Sequence, residues 1–206
     1  KVFFLFAMLL GAVLQITNTF GSPFLHDFSR APQFAESFIV RYPSLLLSLS
    51  QLSEVGFILT IPFFLKRYGI KIVMLMSMVA WMLRFGLFAF GDPSPFGCML
   101  LLMSMIVYGC AFDFFNISGS VFVEQEVSSE IRASAQGLFM TMVNGVGAYV
   151  GSILSGLAVD YFSVDGVKDW QTIWLVFAGY ALALAVIFFF TFNDKHQPDK
   201  HACVVR

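Results

Sequence analysis

The sequence predicts an all-α membrane protein, and both its composition and its hydropathy pattern support that fold class. Hydrophobic residues make up 58% of the 206 residues and charged residues 12%, whereas a soluble domain usually has about 25% charged residues. The mean hydropathy is +0.81. Apolar residues occur in long runs, which is typical of membrane-spanning helices and not of the alternating strands of a barrel.

Composition also argues against several classes of function. The formal net charge is −1 and no basic stripe is present, so no nucleic-acid partner is expected. The cysteines and histidines are not spaced as metal ligands, and the cysteines do not form a disulfide framework, so neither a metal nor a cofactor is expected. These residues are Cys98, Cys110, Cys203, His26, His196 and His201.

Six apolar runs predict six transmembrane helices in one bundle, residues 1–193, followed by a cytoplasmic tail at 194–206. Each run is long enough to cross the bilayer as a helix, which takes about 20 residues. The expected spans are residues 2–20, 43–65, 70–90, 95–123, 135–158 and 170–192.

Helix-breaking or polar residues separate these spans. Gly21-Ser22-Pro23 is expected to end the first span, before an amphipathic connection from Phe24 to Arg41. Lys66-Arg67-Tyr68-Gly69 follows the second span, and the turn Gly91-Asp92-Pro93-Ser94 separates the third from the fourth. The polar segment from Glu124 to Ser134 precedes the fifth span.

The distribution of lysine and arginine predicts that both ends of the chain are cytoplasmic. With the amino end inside, the outer segments hold only Arg30, Arg41 and Lys168. Arg84 lies within the third span, and its guanidinium is expected to snorkel to the outer interface. An ion pair between Arg84 and a carboxylate is the alternative. The basic residues of the inner segments are Lys1, Lys66, Arg67, Lys71, Arg132, Lys195, Lys200 and Arg206.

Polar side chains are concentrated in four of the six spans. The third and sixth spans are mostly apolar, so we expect four helices around a polar interior and two supporting helices outside it. Isolated serines and threonines are interpreted as hydrogen-bonding residues between helices. The polar residues are Gln15, Thr17, Asn18, Thr19, Ser48, Ser50, Gln51, Ser53, Glu54, Asp113, Asn116, Ser118, Ser120, Thr141, Asn144, Ser152 and Ser155.

Three pairs of polar residues share one spacing, in which the second residue follows three positions after the first and lies on the same helical face. The pairs are Gln15 with Asn18, Gln51 with Glu54, and Asp113 with Asn116.

Carboxyl groups near the middle of a membrane are costly, so Glu54 and Asp113 are expected to serve a ligand or a proton. A carboxyl group in a low-dielectric interior can hold a proton and release it on hydration, or it can accept hydrogen bonds from a polyol. The sequence leaves both roles open. Phe112 adjoins Asp113 and is a candidate to stack on a flat ligand such as a base.

Two further features belong to the cytoplasmic side and the fifth span. Gly147 and Gly151 form a small-xxx-small pattern, which predicts a close helix contact. The charged segment after the fourth span is interpreted as a solvated face, with a gating ion pair to Lys66, Arg67 or Lys71 as the alternative. Its charged residues are Glu124, Glu126, Glu130 and Arg132.

Three motifs in combination resemble a known family. They are Leu14-Gln15-Ile16-Thr17-Asn18-Thr19-Phe20-Gly21, Gln51-Leu52-Ser53-Glu54 and Ala111-Phe112-Asp113-Phe114-Phe115-Asn116-Ile117-Ser118-Gly119. Together they are similar to the carboxy-terminal half of the bacterial nucleoside permeases, which are nucleoside:proton symporters of the major facilitator superfamily. The resemblance extends from Lys1 to about Asn193.

The resemblance implies helices seven to twelve of a twelve-helix transporter in the bacterial inner membrane, with both ends of the chain cytoplasmic. It implies a nucleoside and a proton as transported partners, with Glu54 and Asp113 as proton-coupling candidates. The amino-terminal six helices are absent from this chain, so we do not expect it to transport alone. The implied substrate-binding residues are Gln15, Asn18, Gln51, Glu54, Phe112 and Asp113.

Three alternatives to nucleoside transport stay open at this point. A facilitator for another polyhydroxylated solute, such as a sugar, would use the same polar interior. An intramembrane enzyme would use the two carboxylates as an acid pair, but the sequence lacks a zinc-protease or aspartyl-protease motif, so no enzyme is expected. A membrane scaffold that transports nothing is the third alternative.

Overall fold

The computed structural model describes residues 2–34 and 36–192, and most of them are helical. The expected tail at 194–206 lies outside the described residues. The helices are α1 (Val2–Asp27), α2 (Phe38–Arg41), α3 (Pro43–Phe90), α4 (Pro95–Glu126), α5 (Arg132–Met140), α6 (Ala148–Tyr161) and α7 (Trp170–Thr191). A 3-10 turn (Phe28–Arg30), a π-helical stretch (Thr141–Gly147) and two short strands, β1 (Ser163–Val164) and β2 (Val167–Lys168), complete the chain.

Five helical stretches are long and apolar enough to cross a membrane, which confirms the prediction of a helical multi-pass membrane protein. The fourth stretch, Arg132–Tyr161, combines α5, the π-helical stretch and α6 and corresponds to the fifth expected span. The five stretches are Val2–Arg30, Pro43–Phe90, Pro95–Glu126, Arg132–Tyr161 and Trp170–Thr191.

Helix α3 is interrupted at Gly69. The element has 48 residues, and an unbroken helix of that length would measure about 72 Å, more than twice the thickness of a bilayer core. Gly69 has φ 77° and ψ 169°, a backbone conformation that is open almost only to glycine. The chain therefore bends at Gly69, between the second and third expected spans.

Helix α1 extends further than the sequence predicts. It continues through Pro23 to Asp27, although Gly21-Ser22-Pro23 was expected to end the span. The physical reason is the burial of the next turn: Phe24 is 2% exposed, and its ring centroid lies 5.4 Å from that of Trp174. The gain from burying this aromatic side chain offsets the hydrogen bond that Pro23 cannot make.

Aromatic side chains join α7 to the second part of α3. The ring of Trp174 stacks on Phe85 at 5.7 Å and 19°, and it contacts Phe88 at 4.9 Å. Trp174 itself is fully buried. Aromatic pairs of this kind add about 0.5–1.5 kcal/mol each to the burial of their surface, so α7 and residues 70–90 pack as one supporting layer.

A short hairpin precedes α7, and the sequence prediction did not include it. Ser163 pairs with Lys168, and Val164 with Val167. The turn residues Asp165 and Gly166 have φ 51° and 75°, which is the geometry that an Asp-Gly pair favours in tight hairpins.

Asp27 ties this hairpin to α1. Its Oδ2 accepts a hydrogen bond from Trp170 Nε1 at 2.9 Å and from Lys168 Nζ at 3.3 Å. The Arg30 guanidinium donates to the Gly166 carbonyl at 2.9 Å. The end of α1, the hairpin and the start of α7 are therefore joined through one carboxylate.

The charged segment after α4 is held by an internal ion pair. Arg132 Nη1 lies 3.2 Å from Glu124 Oε1. Within residues 2–34 and 36–192, no ion pair joins this segment to Lys66, Arg67 or Lys71. The structure thus matches the solvated face and not the gating pair.

Candidate functional site

The two carboxylates predicted to form the site are positioned by a close contact between α3 and α4. Gly109 packs on the α3 backbone, where an added Cβ would lie 2.7 Å from Ser53 C and 2.8 Å from Glu54 N. The Ser53 hydroxyl accepts a hydrogen bond from the Gly109 N–H at 3.2 Å and lies 3.0 Å from the Met105 carbonyl oxygen. These contacts fix the position of Glu54 against Gly109 of α4, and Gly109 lies one helical turn before Asp113.

Asp113 has the environment expected of a functional carboxyl group. Its side chain is 4% exposed, and its Oδ2 is buried with no hydrogen-bond partner in the described part of the chain. A buried polar oxygen without a partner is costly. The position is therefore suited to a proton or to a hydroxyl group of a ligand.

Glu54 lies at the same contact of α3 with α4 as Asp113. It is half-buried, and its backbone N packs on Gly109, which lies one helical turn before Asp113. The structure therefore brings the two predicted acids to one helix–helix contact.

The predicted amide residues are more exposed than Asp113. Gln51 and Asn18 are exposed, and Gln15 is half-buried. The Gln15 amide donates to the Thr19 hydroxyl on its own helix at 3.2 Å. Among the hydrogen bonds of residues 2–34 and 36–192, none joins these amides to Glu54 or Asp113, so the structure does not connect α1 directly to the acid pair.

The side chains of Phe112 and Asn116, which belong to α4, lie next to α1. They line a cavity that also contacts Leu14, and the Asn116 amide donates to the Phe112 carbonyl at 2.9 Å. The cavity has a volume of about 10 Å³, close to the minimum for a single water molecule and too small for a nucleoside. A solute would therefore have to occupy the open side of these helices.

Arg84 is a correction to the sequence prediction. It does not snorkel to the interface, because its side chain is 1% exposed. Its Nη1 donates to the Ser104 carbonyl on α4 at 2.8 Å, and its Cζ lies 4.9 Å from the ring centroid of Phe88 and 4.4 Å from that of Tyr108. No carboxylate forms an ion pair with Arg84 in the part of the chain that the structure describes.

Tyr108 is a residue of this region to which the sequence prediction gave no role. Its ring lies parallel to that of Phe112, with centroids 5.8 Å apart and an angle of 5°. Two spacings in the sequence are consistent with these contacts between side chains: Phe88 follows Arg84 by four positions, and Phe112 follows Tyr108 by four. Residues four apart share a helical face, so these pairs indicate a cation and aromatic rings stacked along α3 and α4.

The kinds of side chain that come together near Asp113 determine which ligands could bind there. Among the described residues, no group of three histidine, cysteine, aspartate or glutamate side chains comes together. The arrangement instead offers carboxylate acceptors beside aromatic rings, a combination suited to a ligand with hydroxyl groups and a flat ring.

Comparison with known families gives one match over most of the chain. Residues 1–197 match the family model described as "Nucleoside H+ symporter".

Two curated relatives from Escherichia coli strain K12 show the same relationship. A xanthosine permease is 82% identical over 199 residues, covering 97% of this chain and 48% of the relative. The nucleoside permease NupG is 64% identical over 195 residues, covering 95% of this chain and 47% of the relative. The chain thus spans about half the length of the curated relatives it matches.

Solved structures of nucleoside transporter NupG have the same fold over the matched region. One crystal structure superposes with a TM-score of 0.88 and 63% sequence identity, and a mutant form superposes with a TM-score of 0.90. In both cases the match covers 93% of this chain and 48% of the solved chain.

Proposed function

Because the chain belongs to the nucleoside H+ symporter family, we propose that it is the carboxy-terminal six-helix half of a major facilitator transporter that moves nucleosides with protons. The observation that carries this proposal is the buried Asp113 carboxyl group, whose Oδ2 has no hydrogen-bond partner among the described residues, at the same contact of α3 with α4 as Glu54. The coverage of 47–48% of the relatives supports the assignment to a half.

Six membrane crossings follow if α3 crosses twice. The break at Gly69 separates residues 43–68 from residues 70–90, and each part is long enough for one crossing. An even number of crossings places both ends of the chain on the same side. The excess of lysine and arginine in the inner segments makes that side the cytoplasm of a bacterial inner membrane.

The proposed substrate site lies on the open side of α1, α3 and α4. Glu54 and Asp113 accept hydrogen bonds from the nucleoside hydroxyl groups, and at least one of them carries the proton. Phe112 contacts the base. The amides that complete the site are Gln15, Asn18 and Gln51.

The amino-terminal half would supply the opposite wall of this site. Alternating access in transporters of this architecture needs two halves that rock about a site near the middle of the membrane. Exposure of Gln51 and Asn18 in this chain agrees with a surface that a second half covers.

Uptake by the full-length transporter in proteoliposomes tests the proposal. We expect labelled nucleosides to accumulate faster with an inward proton gradient than without one. Xanthosine is the first nucleoside to test, because the xanthosine permease is 82% identical to this chain; uridine and adenosine are the next.

Competition by hexoses separates the proposal from its nearest alternative. A nucleoside transporter should be inhibited by unlabelled nucleosides and not by sugars. Inhibition by hexoses alone would replace the nucleoside with a sugar as the substrate. No uptake of either solute, with protein correctly inserted, would favour a membrane scaffold.

A further inference from the structure

Arg84 has no role in the function proposed above, although it is a fully buried cation within a membrane-spanning helix. We propose that Arg84 is a positioning residue for the nucleoside site, acting through the ring of Tyr108 to hold the ring of Phe112. This inference rests on the proposed function, because it assigns a role to Phe112 in contacting the base.

Two hydrogen bonds hold Arg84 against α4. Its Nη1 donates to the Ser104 carbonyl at 2.8 Å, and the Ser104 hydroxyl donates back to the Arg84 carbonyl at 3.3 Å. Both residues are buried, with 1% and 0% of their surface exposed. The guanidinium therefore has a fixed place relative to α4, which is the helix that carries Phe112 and Asp113.

From that place the guanidinium contacts two aromatic rings. Its Cζ lies 4.4 Å from the ring centroid of Tyr108 and 4.9 Å from that of Phe88. A cation at this distance is attracted to an aromatic ring, and the attraction is stronger away from water. Arginine suits the position better than lysine, because its flat guanidinium can stack on a ring while it still donates hydrogen bonds.

Tyr108 transmits this constraint to the proposed site. Its ring is parallel to Phe112, with centroids 5.8 Å apart, and Trp81 packs edge-on against it at 5.6 Å and 90°. Tyr108 is 9% exposed whereas Phe112 is half-buried. The chain of contacts therefore leads from a buried cation to a ring at the open side of the helices.

A double-mutant cycle in the full-length transporter tests the inference. Arg84→Lys keeps the charge and removes the flat stacking group, so we expect the KM for the nucleoside to rise about three- to tenfold, with little change in Vmax. Phe112→Leu should also raise the KM. If Arg84 acts through Phe112, adding Arg84→Lys to Phe112→Leu should raise the KM no further.

Two variants serve as controls. Lys71→Gln removes another cation of α3 that lies over an aromatic ring, Phe189, at 5.3 Å, and it should leave the KM unchanged. Tyr108→Leu removes the intermediate ring and should reproduce the rise in KM caused by Arg84→Lys. If Arg84→Lys does not fold, the KM of Tyr108→Leu tests the inference in its place.

The outcomes separate the inference from the proposed function. Independent effects of Arg84→Lys and Phe112→Leu that multiply in the double mutant, or an unchanged KM in Tyr108→Leu, would overturn the role of Arg84 while unmutated protein still transports nucleosides. Absence of nucleoside uptake by the unmutated protein would instead overturn the proposed function, and the inference with it.

Discussion

Two charged side chains are buried but not fully hydrogen-bonded within the part of the chain that the structure describes. Asp113 has an oxygen without a partner, and Arg84 has a buried Nε without one. Both cases arise at the contact of α3 with α4, where Gly109 allows the backbones to approach closely. Unsatisfied groups of opposite charge in one region agree with the proposed site, which a ligand or the proposed amino-terminal half would complete.

Neutralising either acid tests the proposed contacts with the substrate. A hydrogen bond to a charged group contributes about 1.5–3 kcal/mol, and about 1.4 kcal/mol corresponds to a tenfold change in affinity. We therefore expect Asp113→Asn and Glu54→Gln each to weaken nucleoside binding roughly ten- to hundredfold. Titration of full-length protein in detergent with a nucleoside measures this.

The proton requirement of these variants is a separate measurement. At least one of them should lose the stimulation of uptake by an inward pH gradient. Asp160→Asn, which neutralises an exposed carboxylate at the end of α6, should change neither binding nor stimulation. Retention of full stimulation by both site variants would rule out these carboxylates as the proton carriers.

Asp169 predicts a pH dependence outside the membrane-spanning segments. Hydrogen bonds from the side chain and the backbone of Thr172 lower the pKa of the Asp169 carboxyl group, and the Thr172 N–H lies 3.2 Å from its Oδ1. A lowered pKa means that the ionised form stabilises the fold. This stabilisation is present above about pH 3.9, the usual aspartate pKa, and is lost as the pH falls through the lower folded-state value.

Asp169→Asn isolates this contribution, because asparagine can cap the helix without titrating. The melting temperature of the unmutated protein should approach that of Asp169→Asn as the pH is lowered from about 6 to about 3. A difference between the two proteins that stays constant over this range would contradict the assignment.

At the scale of elements, glycines allow α1 to pack tightly against the fifth span. Gly147 contacts the Met8 carbonyl and Gly11. Gly11 in turn packs on the backbone of Val143, in the π-helical stretch. These contacts agree with the small-xxx-small pattern of Gly147 and Gly151. A side chain at either glycine would force the two helices apart.

Gly151→Ala tests that contact. An added Cβ would lie 2.5 Å from the Cα of Ala12 and 2.8 Å from its carbonyl oxygen, and such overpacking typically costs about 1–3 kcal/mol. The melting temperature in detergent should fall. Gly156→Ala is the matched control on the same helix, because no atom of the described residues lies within 4 Å of its Cβ position. The melting temperature of Gly156→Ala should not fall. Equal melting temperatures for the two variants would argue against the close packing.

The break in α3 offers a second test at this scale. Gly69 has φ 77° and ψ 169°, and a side chain in that conformation costs about 1–3 kcal/mol. Gly69→Ala should therefore lower the melting temperature. Gly86→Ala lies in the helical second part of α3, where no atom of the described residues is within 4 Å of its Cβ position, and it should not lower the melting temperature. A stable Gly69→Ala protein would mean that α3 does not need the break.

At the scale of the whole molecule, the chain divides into two layers of different character. Residues 70–90 and α7 form an aromatic layer around the buried Trp174. The helices α1, the first part of α3 and the fifth span expose polar groups such as Asn18, Gln51 and Asn144. An exposed polar surface within a membrane protein needs a protein or water neighbour, because lipid cannot satisfy it.

This division predicts that the chain alone does not transport. Reconstituted by itself, it should give no nucleoside uptake above that of empty liposomes, since it has one wall of the site. Co-expression with the amino-terminal half of the same transporter as a separate polypeptide should restore uptake. Transport by this chain alone would show that it forms a complete pathway, for example as a dimer.

The sequence correctly predicts the features that depend on a single segment of the chain. Long apolar runs identify the helices, and three local motifs identify the family, which the comparisons confirm. It fails for Arg84, because burial of that side chain depends on Ser104 and Tyr108, which lie on a different helix. It also fails at Pro23, where contacts of Phe24 with the distant Trp174 extend the helix past its expected end.

The seven π-helical residues, Thr141–Gly147, change the direction in which the span presents its side chains. In an unbroken α-helix, residues eleven apart point almost the same way, because three turns take about 10.8 residues. Asn144 and Ser155 are eleven apart, yet Asn144 is exposed and Ser155 is 2% exposed. A π-helical turn contains more residues than an α-helical turn, so the residues after the stretch point in a different direction from the one that an unbroken α-helix would give them. A helical wheel drawn over the entire segment therefore places on one face residues that lie on different faces of the folded helix.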